Sequence, residues 1–266
     1  MTSKDLMRAF NIDHLGGLMD VRGILGGVVN DIGRRIVGGE WKPGDILPTE
    51  VQLLAQLKVG RSVVREAMRI LNAKGLVRSR PMEGTKVMPR SEWRHLDPDL
   101  IQWRIQAGDR MVLLNDLLHV RLALEPGIAR MATLSRSRIA RKRIDDAWRG
   151  KVAVLADMTG SRLEQRAKFI LADLEFHRSL LAAAESEILA QLCSVIEAAL
   201  GLLIDLQMRA KGATTELVGM EESIELHERV YEAFSTRNAD AAEAAMRHLI
   251  ERAILEAKKG FRSLER

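Results

Sequence analysis

The chain has 266 residues, 47% of them hydrophobic and 4% aromatic, with 41 Lys+Arg against 36 Asp+Glu and one cysteine, Cys193. That length bounds one or two domains with a real core, and a lone cysteine excludes an intramolecular disulfide framework and fits a reducing cytoplasm. No apolar run reaches the ~18 residues of a membrane span, and the mixed charges of "MTSKDLMRAFNIDHL" lack the apolar centre of an export signal.

The charge is unevenly placed. Residues 1–90 hold 15 Lys+Arg against 9 Asp+Glu, whereas residues 91–266 hold 26 against 27. The first third therefore calls for an anionic partner, nucleic acid before membrane. Beyond an extension at 1–19, "DVRGILGGVVNDIGRRIVG" (20–38) reads as a glycine-weakened helix. Pro43-Gly44 makes a turn, and Thr49 with Gln52 forms a T-x-x-Q capping box that opens a helix over 49–57. After the turn "KVG" a third helix runs from 60 to Gly75, which ends it as a C-terminal cap. Two short strands, 76–80 and 85–88, flank a Pro/Gly turn. Helix, helix, turn, helix, hairpin is the order of a winged helix-turn-helix over 1–90.

Residues 91–108 read as a linker and a first helix starting at Asp97-Pro98, and 109–266 as an all-α domain for effector binding and dimerisation. Its helices are predicted at 109–133, 136–157, 161–184, 187–211, 221–236 and 238–260, after one at 97–107. Ser186 and Asn238 stand where caps are needed, and Gly108, Gly160 and Gly212 mark breaks. The basic run 136–143, "RSRIARKR", is a solvated face or an accessory phosphate contact.

Within "GRSVVREAMRILNAKGLV" (60–77), Arg61, Arg65 and Arg69 recur every four residues, a stripe ~80° wide on a helix. Val64, Ala67, Met68 and Leu71 follow the i, i+3, i+4, i+7 spacing of a core face. Alone, such a stripe is as well explained by solvation as by recognition. Its place between a capped helix and a hairpin favours the major groove, with Arg61 and Ser62 at the reading end. A guanidinium can take guanine O6 and N7 together. Arg65 lies one turn on, and Arg69 is further along, towards the phosphates or solvent.

The stretch from Lys42 to Val87, through Pro43-Gly44, Leu47-Pro48, Glu50, Leu54-Ala55, Val59, Arg61, Val64-Arg65, Ala67, Leu71, Gly75-Leu76 and Gly84-Thr85, resembles the DNA-binding domain of the GntR family of bacterial transcription regulators. The resemblance implies that Arg61 and Arg65 contact operator DNA and that the wing enters the minor groove. Ser62, Arg69, Thr49, Gly84 and Thr85 complete the candidate DNA-binding set. Val51 stands where many relatives have an arginine, Met82-Glu83 replaces a glycine-basic pair in the wing, and Gly60 replaces a Ser or Thr cap.

A second constellation lies in the helical part. Asp173 and His177 share a helix face at i, i+4, and His227 and His248 fall on later helices beside Leu226, Val230, Met246 and Leu249. Three imidazoles and a carboxylate suit Zn, Ni, Mn or Fe(II) with positions left open; each histidine alone is as readily a hydrogen-bonded core or surface residue, as His14, His95 and His119 are taken to be. D-x-x-F-H, then E-x-H, then R-H-L resembles the FCD effector domain of the FadR subfamily, an antiparallel helical bundle. The resemblance implies a divalent metal on Asp173, His177, His227 and His248. It also implies an effector near Arg121, whose fork suits a carboxylate, with Glu125 either facing the effector or orienting its neighbours. "SEWRHLDPDLIQWRI" and "EPGIARMA" are similar to the branch of that subfamily that answers to sugar acids.

The expectation is a mainly α, cytoplasmic, homodimeric repressor that reads double-stranded DNA at a pseudo-palindrome and answers to a small carboxylate effector. The alternatives are a metal-dependent enzyme built on the Asp/His₃ centre and an architectural binder acting through charge alone. No H-E-x-x-H helix, nucleophile elbow or phosphate-cradling loop supports the enzyme.

Overall fold

The computed structural model describes residues 23–157, 159, 162–191 and 220–262. The extension 1–19, residues 192–211 of the helix expected over 187–211 and the breaks at Gly160 and Gly212 lie outside them. The chain divides into two compact units between Leu113 and Leu114.

The first unit is a winged helix-turn-helix. It contains α1 (Ile24–Val37), α2 (Glu50–Leu57), α3 (Arg61–Ala73), β1 (Val77–Arg80), β2 (Gly84–Val87), a 3₁₀ turn (Arg90–Glu92) and α4 (Pro98–Gln106). The capping box forms as the sequence requires: Gln52 N–H donates to Thr49 Oγ1 at 3.4 Å, and Thr49 N–H donates to Gln52 Oε1 at 2.8 Å. The wing is an antiparallel pair with Val77 opposite Val87 and Arg80 opposite Gly84. A third segment, which the sequence did not announce, bridges to it at Ile46–Lys86, with Leu47 N–H on Thr85 O at 2.8 Å.

Val64, Ala67 and Leu71 are fully buried, Ala67 and Leu71 in one core cluster with Ile32 and Ile36 of α1, while Met68 is half-buried at its edge. Val64, Leu71, Ile32 and Ile36 contribute roughly 1.5–3 kcal/mol apiece by leaving water. The stretch expected as a linker is part of this core: Trp93, Leu100 and Trp103 pack into it. Trp103 donates Nε1–H to Asn30 Oδ1 at 3.1 Å, and its ring lies where a Cβ on Gly33 would stand, 2.4 Å away. Gly75 is equally constrained, with φ +78° and a Cβ position 2.1 Å from Glu92 O. Lys74, beside it, is buried with Nζ 2.8 Å from Asp97 Oδ1 and 2.7 Å from Asp99 Oδ2, joining the end of α3 to the start of α4. α3 is thus held along its length and at its end.

The second unit is a helical bundle of α5 (Arg110–Leu134), α6 (Arg138–Ala156), α7 (Arg162–Ala183), α8 (Glu187–Gln191), α9 (Met220–Ser235) and α10 (Ala239–Arg262). Ser137, Ser186 and Asn238 cap α6, α8 and α10, accepting from Ala140, Leu189 and Ala241 N–H. α6 packs along α7 and α9 along α10. The longer helices α5, α6, α7, α9 and α10 bury one stripe each, and the polar centre arises where those stripes carry ionisable residues. On α5 the buried positions include Leu114, Leu117, Leu118, Arg121, Glu125, Ile128, Ala129 and Ala132. This is the spacing of a core-facing helix with a charged pair in its middle. Among the described residues no helix is long and apolar enough to cross a membrane.

Candidate nucleic-acid interface and buried polar centre

On the first unit, Arg61, Ser62, Arg65 and Arg69 are all exposed. They lie on the first three turns of α3, opposite the side held by Val64, Ala67 and Leu71. Arg61 has no ion-pair partner among the described residues, and Gly60 before it leaves the helix start without a side-chain cap. The N–H groups and positive dipole end at that terminus suit a phosphate. Arg65 is aimed by its neighbour: Nε donates to Glu50 Oε1 at 2.7 Å, which raises the guanidinium's pKa through the hydrogen bond. Arg69 pairs with Glu66 at 3.1 Å within α3. Thr49 is exposed but its hydroxyl serves the cap. In the wing Gly84 is exposed at φ +83°, and Thr85 is half-buried with its hydroxyl 2.8 Å from that of Ser79. Met82 stands fully exposed at the wing tip. The expected cations are presented to solvent rather than folded under another segment.

In the second unit the structure gathers Arg121 and Glu125 of α5, Asp173 and His177 of α7, and His227 of α9. Arg121, Glu125, His177 and His227 are each no more than 3% exposed. Arg121 donates Nε–H to Glu125 Oε1 and sets Nη2 at 3.3 Å from Glu125 Oε2 and 3.2 Å from His177 Nε2. Glu125 Oε2 lies 2.7 Å from His177 Nδ1, a close contact in which the ring nitrogen is poorly aligned for a hydrogen bond. His227 Nδ1 is 2.6 Å from Ser223 O, which can only accept, so that nitrogen carries the proton. His227 Nε2 is then a lone pair, 3.1 Å from Asp173 Oδ1 and 3.2 Å from His177 Nε2. Phe176 closes one side, edge-on to both imidazoles at 6.1 and 5.5 Å.

Burial drives the electrostatics of the centre. Burial alone would raise Glu125's carboxyl, but Arg121 and His177 more than offset it and hold it at about 2. Burial and then Lys151 bring His227 down to about 4, against the pull of Asp173, so the ring is neutral at pH 7. Burial would raise Asp173's carboxyl, but the attraction of its neighbours, led by the Lys151 ammonium, holds it well below the usual carboxylate range.

Lys151 is the residue that sequence reading missed. It is fully buried on α6, and its ammonium contacts Asp173 Oδ1. The signal was present: Ala140, Ile144, Ala147, Trp148 and Lys151 form one buried stripe, so the lysine stands on the core face. His248 is the converse, a correction to the expected ligand set. It is exposed on α10 and not part of the cluster. Helix phase is the reason: Ala242, Met246, Leu249 and Ile250 face the core, and His248 is ~100° from Leu249 and ~200° from Met246.

Asp173, His177 and His227 each offer one ligand atom, all within 4.8 Å of one another. Tested as a metal site, this three-donor set fits. Two imidazole lone pairs 3.2 Å apart match ligands ~2.0–2.1 Å from one ion at a tetrahedral angle. Each ring turns its other nitrogen to a carboxylate or a carbonyl, the outer-shell arrangement that orients metal-binding histidines. A separate groove of about 630 Å³ between α6 and α7, lined by Arg143, Asp146, Gly150, Glu175 and Arg178 among others, includes none of these residues.

A winged helix-turn-helix with exposed cations on its third helix, joined in one chain to a helical bundle with a buried polar centre, defines a DNA-binding regulator with a sensing domain. The chain belongs to the GntR family of bacterial regulators: residues 26–87 match the model of bacterial regulatory proteins, gntR family, and residues 116–252 match the FCD domain. It is similar to the galactonate operon transcriptional repressor of Escherichia coli K12, 28% identical over 82% of this chain and 90% of that one. It is 32% identical to the HTH-type transcriptional regulator LutR of Bacillus subtilis 168, over 79% and 90% of the two chains. Among solved structures, the Lar regulator of the Listeria monocytogenes agr system matches with a TM-score of 0.51 at 14% identity, covering 91% of this chain and 99% of that one, which speaks for the fold alone. The chain is a transcriptional regulator, and the metal-enzyme alternative falls with that kinship.

Proposed function

We propose that the protein is a homodimeric repressor that binds a pseudo-palindromic operator and releases it when a small carboxylate, of the sugar-acid class, binds the FCD domain. The observation that carries the DNA half is the exposed, unpaired Arg61 on the first turn of a helix whose opposite face is locked into the core. Arg61, Ser62 and Arg65 read bases; Arg69, Thr49, Gly84 and Thr85 line the backbone on either side. Two copies related by a two-fold axis would present two such helices to half-sites about one DNA turn apart.

The sensing half rests on Arg121. Its guanidinium is the fork for an effector carboxylate, with Glu125 positioning both it and His177. Asp173, His177 and His227 hold a divalent ion, which when bound offers open positions to hydroxyl and carboxylate oxygens. The named activity of the galactonate operon repressor supports a sugar acid.

The test is selection of duplexes from a randomised library by the full-length protein, followed by gel shift with galactonate and related sugar acids. An inverted repeat, weakened by one of these acids, is the expected result. Uniform affinity for all sequences near 0.15 M salt would instead mark a charge-only binder. Arg61→Ala should lose about 1–3 kcal/mol of base discrimination; unchanged sequence preference would remove Arg61 from the reading face.

A further inference from the structure

The buried centre is electrically complete without an added ion. The Arg121 guanidinium lies on the Glu125 carboxylate and the Lys151 ammonium on that of Asp173, so each buried cation already has its own carboxylate. Lys151 and Arg121 are at most 1% exposed, so neither charge can be screened by water in place. A divalent ion on Asp173, His177 and His227 would leave two positive charges without counter-charge in a region that tolerates net charge poorly. It would also claim Asp173, whose Oδ1 already carries the Lys151 ammonium.

Resting on the metal reading above, we infer that Lys151 is a built-in rival of the divalent ion: its ammonium holds Asp173 when no metal is present, and the ion binds tightly only together with an anionic effector. The acid supplies the negative charge that the ion's arrival would leave missing, and its carboxylate gives Lys151 and Arg121 a new partner as Asp173 turns to the ion. Lys151 thereby makes metal uptake and acid binding depend on each other. His248, turned to solvent, fits this arrangement, since the fourth position is left to an oxygen of the acid. The lysine's reach is set by its place on the core stripe of α6, where Trp148 on the preceding turn and Phe169 beneath the ammonium at 4.3 Å confine it.

The experiment measures binding of Mn²⁺ and Zn²⁺ to the full-length protein by calorimetry and by metal content after dialysis, with and without galactonate as the probe acid. Wild-type protein should bind the ions weakly alone and roughly tenfold or more tightly with the acid. Lys151→Met keeps most of the apolar stem and removes the charge; it should bind the ions roughly tenfold more tightly without acid and gain little from acid. Lys151→Gln serves if the first variant unfolds, and the acid dependence of wild-type protein needs no variant. Asp173→Asn should abolish ion binding in every background. Metal binding in the lysine variants no tighter than wild type, or tight acid-independent binding by wild-type protein, overturns the rivalry while leaving the metal site standing. Ion binding indifferent to Asp173→Asn overturns the metal reading itself, and the rivalry with it.

Discussion

Arg61 and Arg121 show what the same side chain does in two settings. Arg61 sits on a rigid helix, open to water and without a carboxylate partner among the described residues; Arg121 is 1% exposed and enclosed by Glu125 and His177. A solvated guanidinium costs little to leave unpaired, so it can wait for a nucleic acid, and its contribution falls as salt rises. A buried one is stable only while its partners stay, so any anion that reaches it must exchange with them. The first unit is thus built for affinity that varies with sequence and ionic strength. The second unit pairs its charges internally, and on the proposed reading a ligand that enters must exchange with the contacts that join Arg121 and Glu125 of α5 to His177 of α7.

This contrast can be broken most forcefully at Arg121. Arg121→Ala leaves Glu125 buried and uncompensated, and should destabilise the protein by about 3–5 kcal/mol. Denaturant or thermal unfolding measures it, and a loss below ~1 kcal/mol would mean that water reaches the centre freely. Acid should act on the same centre. His227 titrates near 6.5 when unfolded and at about 4 when folded, so between these values the unfolded chain holds the extra proton. Its contribution, roughly 3 kcal/mol, is fully present above pH 6.5 and is lost as pH falls towards 4. Unfolding curves from pH 7.5 to 4 check this, and His227→Gln should flatten that limb; equal slopes in both proteins would contradict the assignment.

Smaller effects are expected at exposed positions. Arg69→Ala should change stability by no more than about 0.5 kcal/mol and lower the salt slope of DNA binding by about one, as a single phosphate contact would. A changed base preference with an unchanged slope would move Arg69 from the backbone to the bases. His248→Ala should be the mildest, within about 0.5 kcal/mol and without effect on metal content. Loss of bound metal in that variant would restore His248 to the ligand set.

The helices were legible because their periodicities are strong and their caps chemical: Thr49 with Gln52, Asp97 before Pro98 and Asn238 all do what their side chains suggest. The recognition face was legible for the same reason, since Val64, Ala67 and Leu71 fix which way Arg61 and Arg65 point. The segment 91–108 was not, because a linker and a helix that completes another domain's core differ only in whether Trp93 and Trp103 find partners far away in sequence. At the sensing centre, i, i+4 spacing placed Asp173 beside His177, and Arg121 beside Glu125. His248 was misplaced by spacing counted across two helices, where one residue of phase turns a side chain from core to solvent. Lys151 went unseen because a lysine in a basic chain reads as surface until its stripe is traced.

The central claim is that occupancy of the buried centre around Arg121 governs the DNA affinity of the face around Arg61. Linkage makes it measurable, because an acid that weakens operator binding must itself bind the operator complex more weakly by the same factor. The decisive measurement is the affinity of the effective sugar acid for the free protein and for its complex with a selected operator, set beside the operator's affinity with and without acid. Equal factors in the two directions are expected, with Arg121→Lys lowering acid affinity while operator affinity without acid stays as it was. An acid that binds free and operator-bound protein equally well would contradict the account.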